Sequence, residues 1–155
     1  MSQADHSHAG QSLAERVAAA MFARDRASQH LGIAVTDVAP GRATASMTVT
    51  DTMVNGHDIA HGGYVFLLAD TAFAFACNTY GVATVAAGAD VSFVAPARRG
   101  DELVAEATER GRYGRSGVYD VTVRRSSDGA VVAEFRGRSR SLGHSLLDDG
   151  EQLTR

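Results

Sequence analysis

The stretch NGHDIAHGGYVFLLADTAFAFAC, residues 55–77, holds the side chains of this 155-residue sequence best placed to do chemistry. His57 and His61 stand four apart, Gly62 and Gly63 follow, and Asp70 interrupts an apolar run. Two chemistries are open to such a set. His-Asp-Ile-Ala-His has the spacing of a zinc-protease helix, in which two imidazoles on one face hold the metal and an acid between them acts as base. That arrangement needs a helix through both histidines. Asn55-Gly56 before the first and Gly62-Gly63 after the second are instead loop and helix-start signals, and no third ligand is evident. No metal is expected, and His57 is read as a loop residue ahead of the helix.

The second chemistry starts at the helix end. A helix beginning near His61 or Gly62 leaves its first backbone N–H groups without intrahelical acceptors, and the glycines let another molecule approach that backbone closely. Such a place suits an oxyanion or a polarised carbonyl. Tight helix packing is the plainer use of the same glycines. Asp70 is the second component: between Tyr64 and Cys77 only Asp70 and Thr71 are strongly polar. Burying an unpaired carboxylate is costly, so its place there points to work on a substrate or to a dedicated hydrogen-bond partner. Thr71 fits either support of that aspartate or core packing.

Spacing adds a constraint. Eight residues separate Gly62 from Asp70, about 12 Å along a helix at ~1.5 Å per residue. A carbonyl-polarising donor and a nucleophile or base must both lie within about 3–3.5 Å of the reacting atoms. One helix cannot supply both to one substrate, whereas two copies packed antiparallel across a two-fold axis can. The expected active unit is therefore at least a homodimer.

The elements that must position these residues follow from periodicity. Residues 1–11 are polar and expected to be a flexible start. Ser12 and Glu15 match a capping box, and Leu13, Val17, Ala20 and Met21 follow at helical spacing, predicting a first helix to about His30 with Gly32 as its stop. The period then changes to two, most clearly in GRATASMTVTD, preceded by a short strand in IAVTDV and a Pro40-Gly41 turn. After the apolar helix, alternation returns in VATVAAGADVSFVAP, ELVAEATER, GVYDVTVRR and AVVAEFRGRSR. Asp128-Gly129 marks a hairpin, and Arg99, Gly100 and Asp101 mark another connection. Short links make these four strands antiparallel. A helix apolar on nearly all faces must be wrapped, so the expected class is α+β: an antiparallel sheet curled around a long central helix, with an N-terminal helix. A two-layer α+β domain is the structural alternative. A single domain over 12–143 is expected, with a polar C-terminal tail at 144–155.

Composition bounds the function. With 45% hydrophobic residues and a net charge of −3, the chain has room for one core and no broad attraction to nucleic acid. A single cysteine, Cys77, and a start without basic and apolar regions make the cytoplasm the expected compartment. The apolar run at 64–77 is too short to span a membrane and carries Asp70. Cys77 is read as packing.

At these residues the sequence resembles the PaaI-type hotdog-fold acyl-CoA thioesterases of phenylacetate degradation. VNGHDIAHGGYVFLLADTAFAFACN matches that family's signature of Asn, then His-Gly-Gly, then Asp, and the likeness continues through SFVAPARRGDELVAEA, GVYDVTV and FRGRSRSLG, covering about residues 31–143. The resemblance implies that Asp70 attacks the thioester or activates water, that the Gly62 N–H polarises the carbonyl, that His61 shapes the helix start, and that Asn55 positions water or thioester. It implies an antiparallel dimer of hotdogs, usually paired into a homotetramer, without metal or cofactor. Relatives with a serine or threonine on the strand after the helix differ from this chain, which has VAAGAD there. Gly63, Thr71 and Tyr64 are placed on the substrate side. Coenzyme A carries phosphates, and Arg110, Arg112 and Arg115 around a glycine-bearing hairpin suit them, although turn arginines are commonly just solvated. The expected activity is hydrolysis of phenylacetyl-CoA or hydroxyphenylacetyl-CoA; a broader, medium-chain thioesterase and a non-catalytic acyl-CoA binding module are the alternatives.

Overall fold

A seventeen-residue helix with almost no polar side chain has no face to offer water, and the sheet answers by wrapping it. The computed structural model of the chain describes residues 3–147. In chain order the elements are α1 (Gln3–Arg24), α2 (Arg26–His30), β1 (Ala34–Ala39), β2 (Arg42–Thr48), α3 (Gly62–Asn78), β3 (Val82–Phe93), β4 (Glu102–Tyr113), β5 (Ser116–Arg125) and β6 (Val131–Ser145). One six-stranded antiparallel sheet has the order β1-β2-β4-β5-β6-β3 and curls around α3, the hotdog arrangement. No helix among the described residues is long and apolar enough to cross a membrane.

The alternation expected of β2 holds: Ala43, Ala45 and Met47 point into the core, while Arg42 and Thr48 are exposed. They meet Leu68, Ala69, Ala72 and Ala76 of α3, together with Leu103, Ala105, Val121, Val123 and Ala133 of the later strands. Phe73 sits between Tyr119 and Phe135, with ring centroids 5.6 and 5.8 Å away. Gly137 on β6 makes the room: a Cβ there would come within 2.7 Å of the Phe73 ring.

Four expectations change. First, α1 begins at Gln3, so it runs through residues assigned to a flexible start, and Ser12 lies inside the helix instead of capping it. The Gln11 side-chain amide ties this early part down by donating to the Val38 carbonyl at 2.7 Å. Second, the helix does not continue to His30. It breaks at Asp25, which caps α2 by accepting from the Ser28 N–H (2.9 Å) and hydroxyl (2.6 Å). Side-chain capping outcompetes helix continuation there. Third, β3 is not the neighbour of β4. It lies at the far edge beside β6, and residues 94–101 carry the chain from that edge to β4, which lies between β2 and β5. Fourth, β6 extends to Ser145, past the expected domain limit at 143; the rest of the polar tail, residues 148–155, lies outside the described residues.

Two surfaces stay uncovered. Of the 12 residues of β3 none is buried, although Val82, Val85 and Phe93 are large and apolar. On α3 the stripe through Gly63, Leu67, Asp70 and Ala74 also escapes full burial.

The packing of Phe73 against Gly137 gives a direct check. Gly137→Ala should destabilise the fold by about 1–3 kcal/mol, because neither the buried ring nor the paired strand can yield. Chemical denaturation reads this as a lower midpoint at unchanged slope.

Candidate active site

The approach to α3 is a tight loop held by backbone bonds. Ala60 N–H donates to the Ala97 carbonyl and His61 N–H to the Met53 carbonyl, each at 2.7 Å, so the link from β3 to β4 also fixes the helix start. Asn55 closes the loop: its Oδ1 accepts from the His57 N–H at 2.9 Å, and Asp58 takes a positive φ of 59°. The Asn55 side-chain NH2 has no partner among the described residues and lines a groove shared with Gly62.

His61 is the N-cap of α3. Its backbone is extended (φ −60°, ψ 132°), and its Nδ1 accepts from the Gly63 N–H at 3.0 Å, which puts the ring proton on Nε2. Its ring meets Tyr64 edge-on at 6.5 Å. The Gly63 N–H is thereby occupied and Tyr64 N–H donates to the His61 carbonyl, leaving the Gly62 N–H without an acceptor among the described residues. That free donor opens into a groove of about 520 Å³ walled by Val65, Phe93, Val94 and Pro96. Phe93 lies directly over Gly62, where a Cβ would come within 2.8 Å of its ring. The helix start can therefore hold a carbonyl oxygen at one defined N–H beside apolar walls.

Asp70 is half-buried, and no described residue hydrogen-bonds or ion-pairs with its carboxylate. Desolvation alone pushes its pKa above the ordinary carboxylate value. It does not line the Gly62 groove, as the helix-length argument requires of one chain. A half-buried carboxylate and a backbone N–H, both without partners among the described residues, are thus present and separated.

Other expected site residues lie elsewhere. The Thr71 hydroxyl is buried against Ser28 Oγ at 3.3 Å, a packing position away from the groove. Tyr64 is packed against the core rim. Arg110 faces the outer side of the sheet and pairs with Asp120 at 3.4 Å. Arg112 lies 3.6 Å over the Tyr80 ring and pairs with Glu109, and Arg115 lines a separate recess at the C-terminal end of α3. Cys77 is buried, its thiol donates to the Ala74 carbonyl, and desolvation pushes its pKa to about 12, which leaves it inert. Among the described residues no group of three or more His, Cys, Asp or Glu side chains converges as a metal site. Sequence reasoning missed Phe93 and the 94–97 wall, because a strand end and its following link carry no local sign of a helix 30 residues earlier.

Comparison with known proteins decides the family. The thioesterase superfamily pattern matches residues 57–132. Acyl-coenzyme A thioesterase PaaI of Escherichia coli is 42% identical over 130 residues, covering 84% of this chain and 92% of the relative. The chain belongs to the thioesterase superfamily and is a PaaI-type thioesterase. The solved structure of the Escherichia coli PaaI protein superposes with a TM-score of 0.85 at 41% identity, over 87% of this chain and 97% of that one. A phenylacetic acid degradation protein PaaI from Thermus thermophilus, solved as a single-site variant, matches at 35% identity and TM-score 0.71, over 74% of this chain and 97% of its own. This PaaI-type chain is thus a thioester hydrolase, with the helix start and carboxylate described above as its candidate machinery.

Two predictions follow from the geometry. Gly62→Pro deletes the free N–H at a first helical position that tolerates proline, after a residue already extended; Gly62→Ala adds the same contact with Phe93 but keeps the donor. The proline variant should lose about 10²–10³-fold in kcat, and the alanine variant far less. For Asp70 the sign is set by its raised pKa: the folded state holds the proton more tightly than the unfolded chain, so stability falls as pH rises from the ordinary aspartate value through the folded one. Asp70→Asn should therefore be inactive yet more stable than the parent at pH 7, the gap closing in denaturation curves below the ordinary aspartate pKa. The acid limb of kcat/KM should lie above that ordinary value as well.

Proposed function

We propose that this thioesterase hydrolyses aryl-acyl thioesters of coenzyme A, with phenylacetyl-CoA and hydroxyphenylacetyl-CoA as its substrates, in sites shared between two subunits. The observation that carries the reading is the pair of unused groups on one helix: the Gly62 N–H and the half-buried Asp70 carboxylate, neither bonded to another of the described residues. They are too far apart along α3 to act on one carbonyl, and an antiparallel second copy removes that obstacle. The long edge of β3 supports the pairing, since none of its residues is buried, Asp90 is its one charged side chain, and an uncovered edge strand invites another strand. Pairing of two such dimers into a tetramer completes the assembly.

The thioester carbonyl oxygen sits on the Gly62 N–H of one subunit, assisted by the Asn55 side-chain NH2, and negative charge developing there is stabilised by the helix start. Asp70 of the other subunit acts on the carbonyl carbon, either by adding to it or by taking the proton of the attacking water. The C–S bond breaks and the coenzyme A thiolate takes a proton; if Asp70 has added, water then cleaves the Asp70–acyl anhydride, and by either route the acid leaves. His61 keeps the helix start in shape by occupying the Gly63 N–H, and Gly63 lets the substrate pass close to the backbone. The apolar walls of the groove suit an uncharged part of the substrate, while Arg112 and Arg115 of the hairpin supply positive charge for the phosphates. The aryl preference rests on the phenylacetic acid degradation names of its relatives.

Purified protein should release free thiol from phenylacetyl-CoA, and Asp70→Ala should reduce turnover by at least about 10³-fold. Undiminished turnover in that variant overturns the role of Asp70. Preference for medium-chain acyl-CoA across a substrate panel would replace the aryl reading, and binding of acyl-CoA without thiol release would leave a non-catalytic module. Sedimentation should find a dimer or tetramer, and an active monomer would contradict the shared site.

A further inference from the structure

Phe93 is the only exposed one of the chain's six phenylalanines, at 57%. Its place follows from the strand that carries it. Alternation puts Ala89, Val91 and Phe93 on one face of β3, and the first two pack against the core. Phe93 pairs in register with Ala133, which is fully buried on that face. The last residue of β3 therefore stays on the core side of the sheet, but it stands beyond the covered part of the core, and its ring reaches the first residue of α3.

Only the far end of the ring makes that contact. A Cβ on Gly62 would come within 2.8 Å of Cζ and within 3.2 and 3.3 Å of the two Cε atoms. The faces of the ring are left open, since none of the aromatic pairs among the described residues includes Phe93. The groove that it walls has no charged side chain and no second aromatic ring, and Asn55 is its one polar side chain. What fits there has a carbonyl at one end, for the Gly62 N–H, and an apolar body. An aromatic body gains more than area burial against such a ring, because the quadrupoles of two rings favour offset or edge-to-face contact that a saturated group cannot make.

We infer that Phe93 sets the acyl preference of this site by packing its open ring against the aryl ring of the acyl group while the Gly62 N–H holds the carbonyl oxygen. The inference rests on the thioesterase reading and deepens it, since it gives the aryl preference a residue of this chain. A phenylacetyl group carries its ring one methylene from the carbonyl, which keeps it beside the donor and so within reach of Phe93. Pairing along the β3 edge uses backbone groups in the plane of the sheet, so the ring remains on the groove side.

The test compares two thioethers of coenzyme A, one carrying a phenylethyl and the other a cyclohexylethyl group. Neither can be hydrolysed, so calorimetry reads their affinities for the full-length protein whether or not it turns over a thioester. Phe93→Leu removes the aromatic face at an exposed position, and Val94→Ala trims the same wall without touching that face. The ratio of the two Kd values should move toward the cyclohexyl ligand by about three- to tenfold in Phe93→Leu. It should stay at the parent value in Val94→Ala. No binding of either ligand by the parent, a ratio unchanged in Phe93→Leu, or an equal shift in both variants overturns the inference. Thiol release from phenylacetyl-CoA is measured in parallel. Its absence with the Phe93-dependent ratio intact would sink the hydrolytic reading and leave this one standing, whereas thiol release with an unchanged ratio would do the reverse.

Discussion

The need to bury α3 governs this molecule. Its seventeen residues carry almost no polar side chain, so they are stable only inside a sheet that closes around them. That wrapping fixes the depth of everything on the helix. Leu68, Ala69, Ala72 and Ala76 disappear into the core, and Asp70, one of the few polar groups on the same helix, is left half-buried on the uncovered stripe. Desolvation there raises its pKa, which is the property a base or nucleophile acting near neutral pH requires. The helix that stabilises the fold and the helix that tunes the carboxylate are the same element.

The crossing from β3 to β4 is the second consequence. Because β3 lies at the far edge, residues 94–101 must cross from it to β4 in the interior of the sheet, and they pass beside the start of α3. Ala97 receives the Ala60 N–H, Val94 and Pro96 wall the groove, and Phe93 roofs Gly62. A topological necessity thus becomes the lining of the groove at the Gly62 N–H. The His61 cap completes it by occupying one of the two glycine N–H groups and leaving the other free.

The fold class and the helix start were legible from sequence because both rest on local signals: alternation in GRATASMTVTD, glycines after His61, an unbroken apolar run. The separation of Gly62 from Asp70 was legible from helix geometry alone. What escaped depends on contacts distant in sequence. Nothing local marks Asp25 as stronger than helix continuation, or shows that Gln11 anchors the first turns of α1 to β1. Strand order was equally hidden, since a short link between β3 and β4 looks the same whether the strands pair or part. Thr71 left two readings open, and the structure places it against Ser28 in the packing position. The hairpin arginines were grouped by proximity in sequence, but the register shift between Glu109 and Gly111 breaks the alternation that would put Arg110 and Arg112 on one face, and Arg110 goes to the outer sheet face and Arg112 to the Tyr80 side.

The central claim is that each site draws Gly62 from one subunit and Asp70 from another. Mixing two inactive variants, Gly62→Pro and Asp70→Asn, under conditions that exchange subunits tests it most directly. A shared site restores one intact centre per mixed dimer, so activity should recover to about one quarter of the parent at equal concentrations of the two. A site built within one chain leaves every centre defective, and a mixture that stays inactive despite proven exchange would contradict the account.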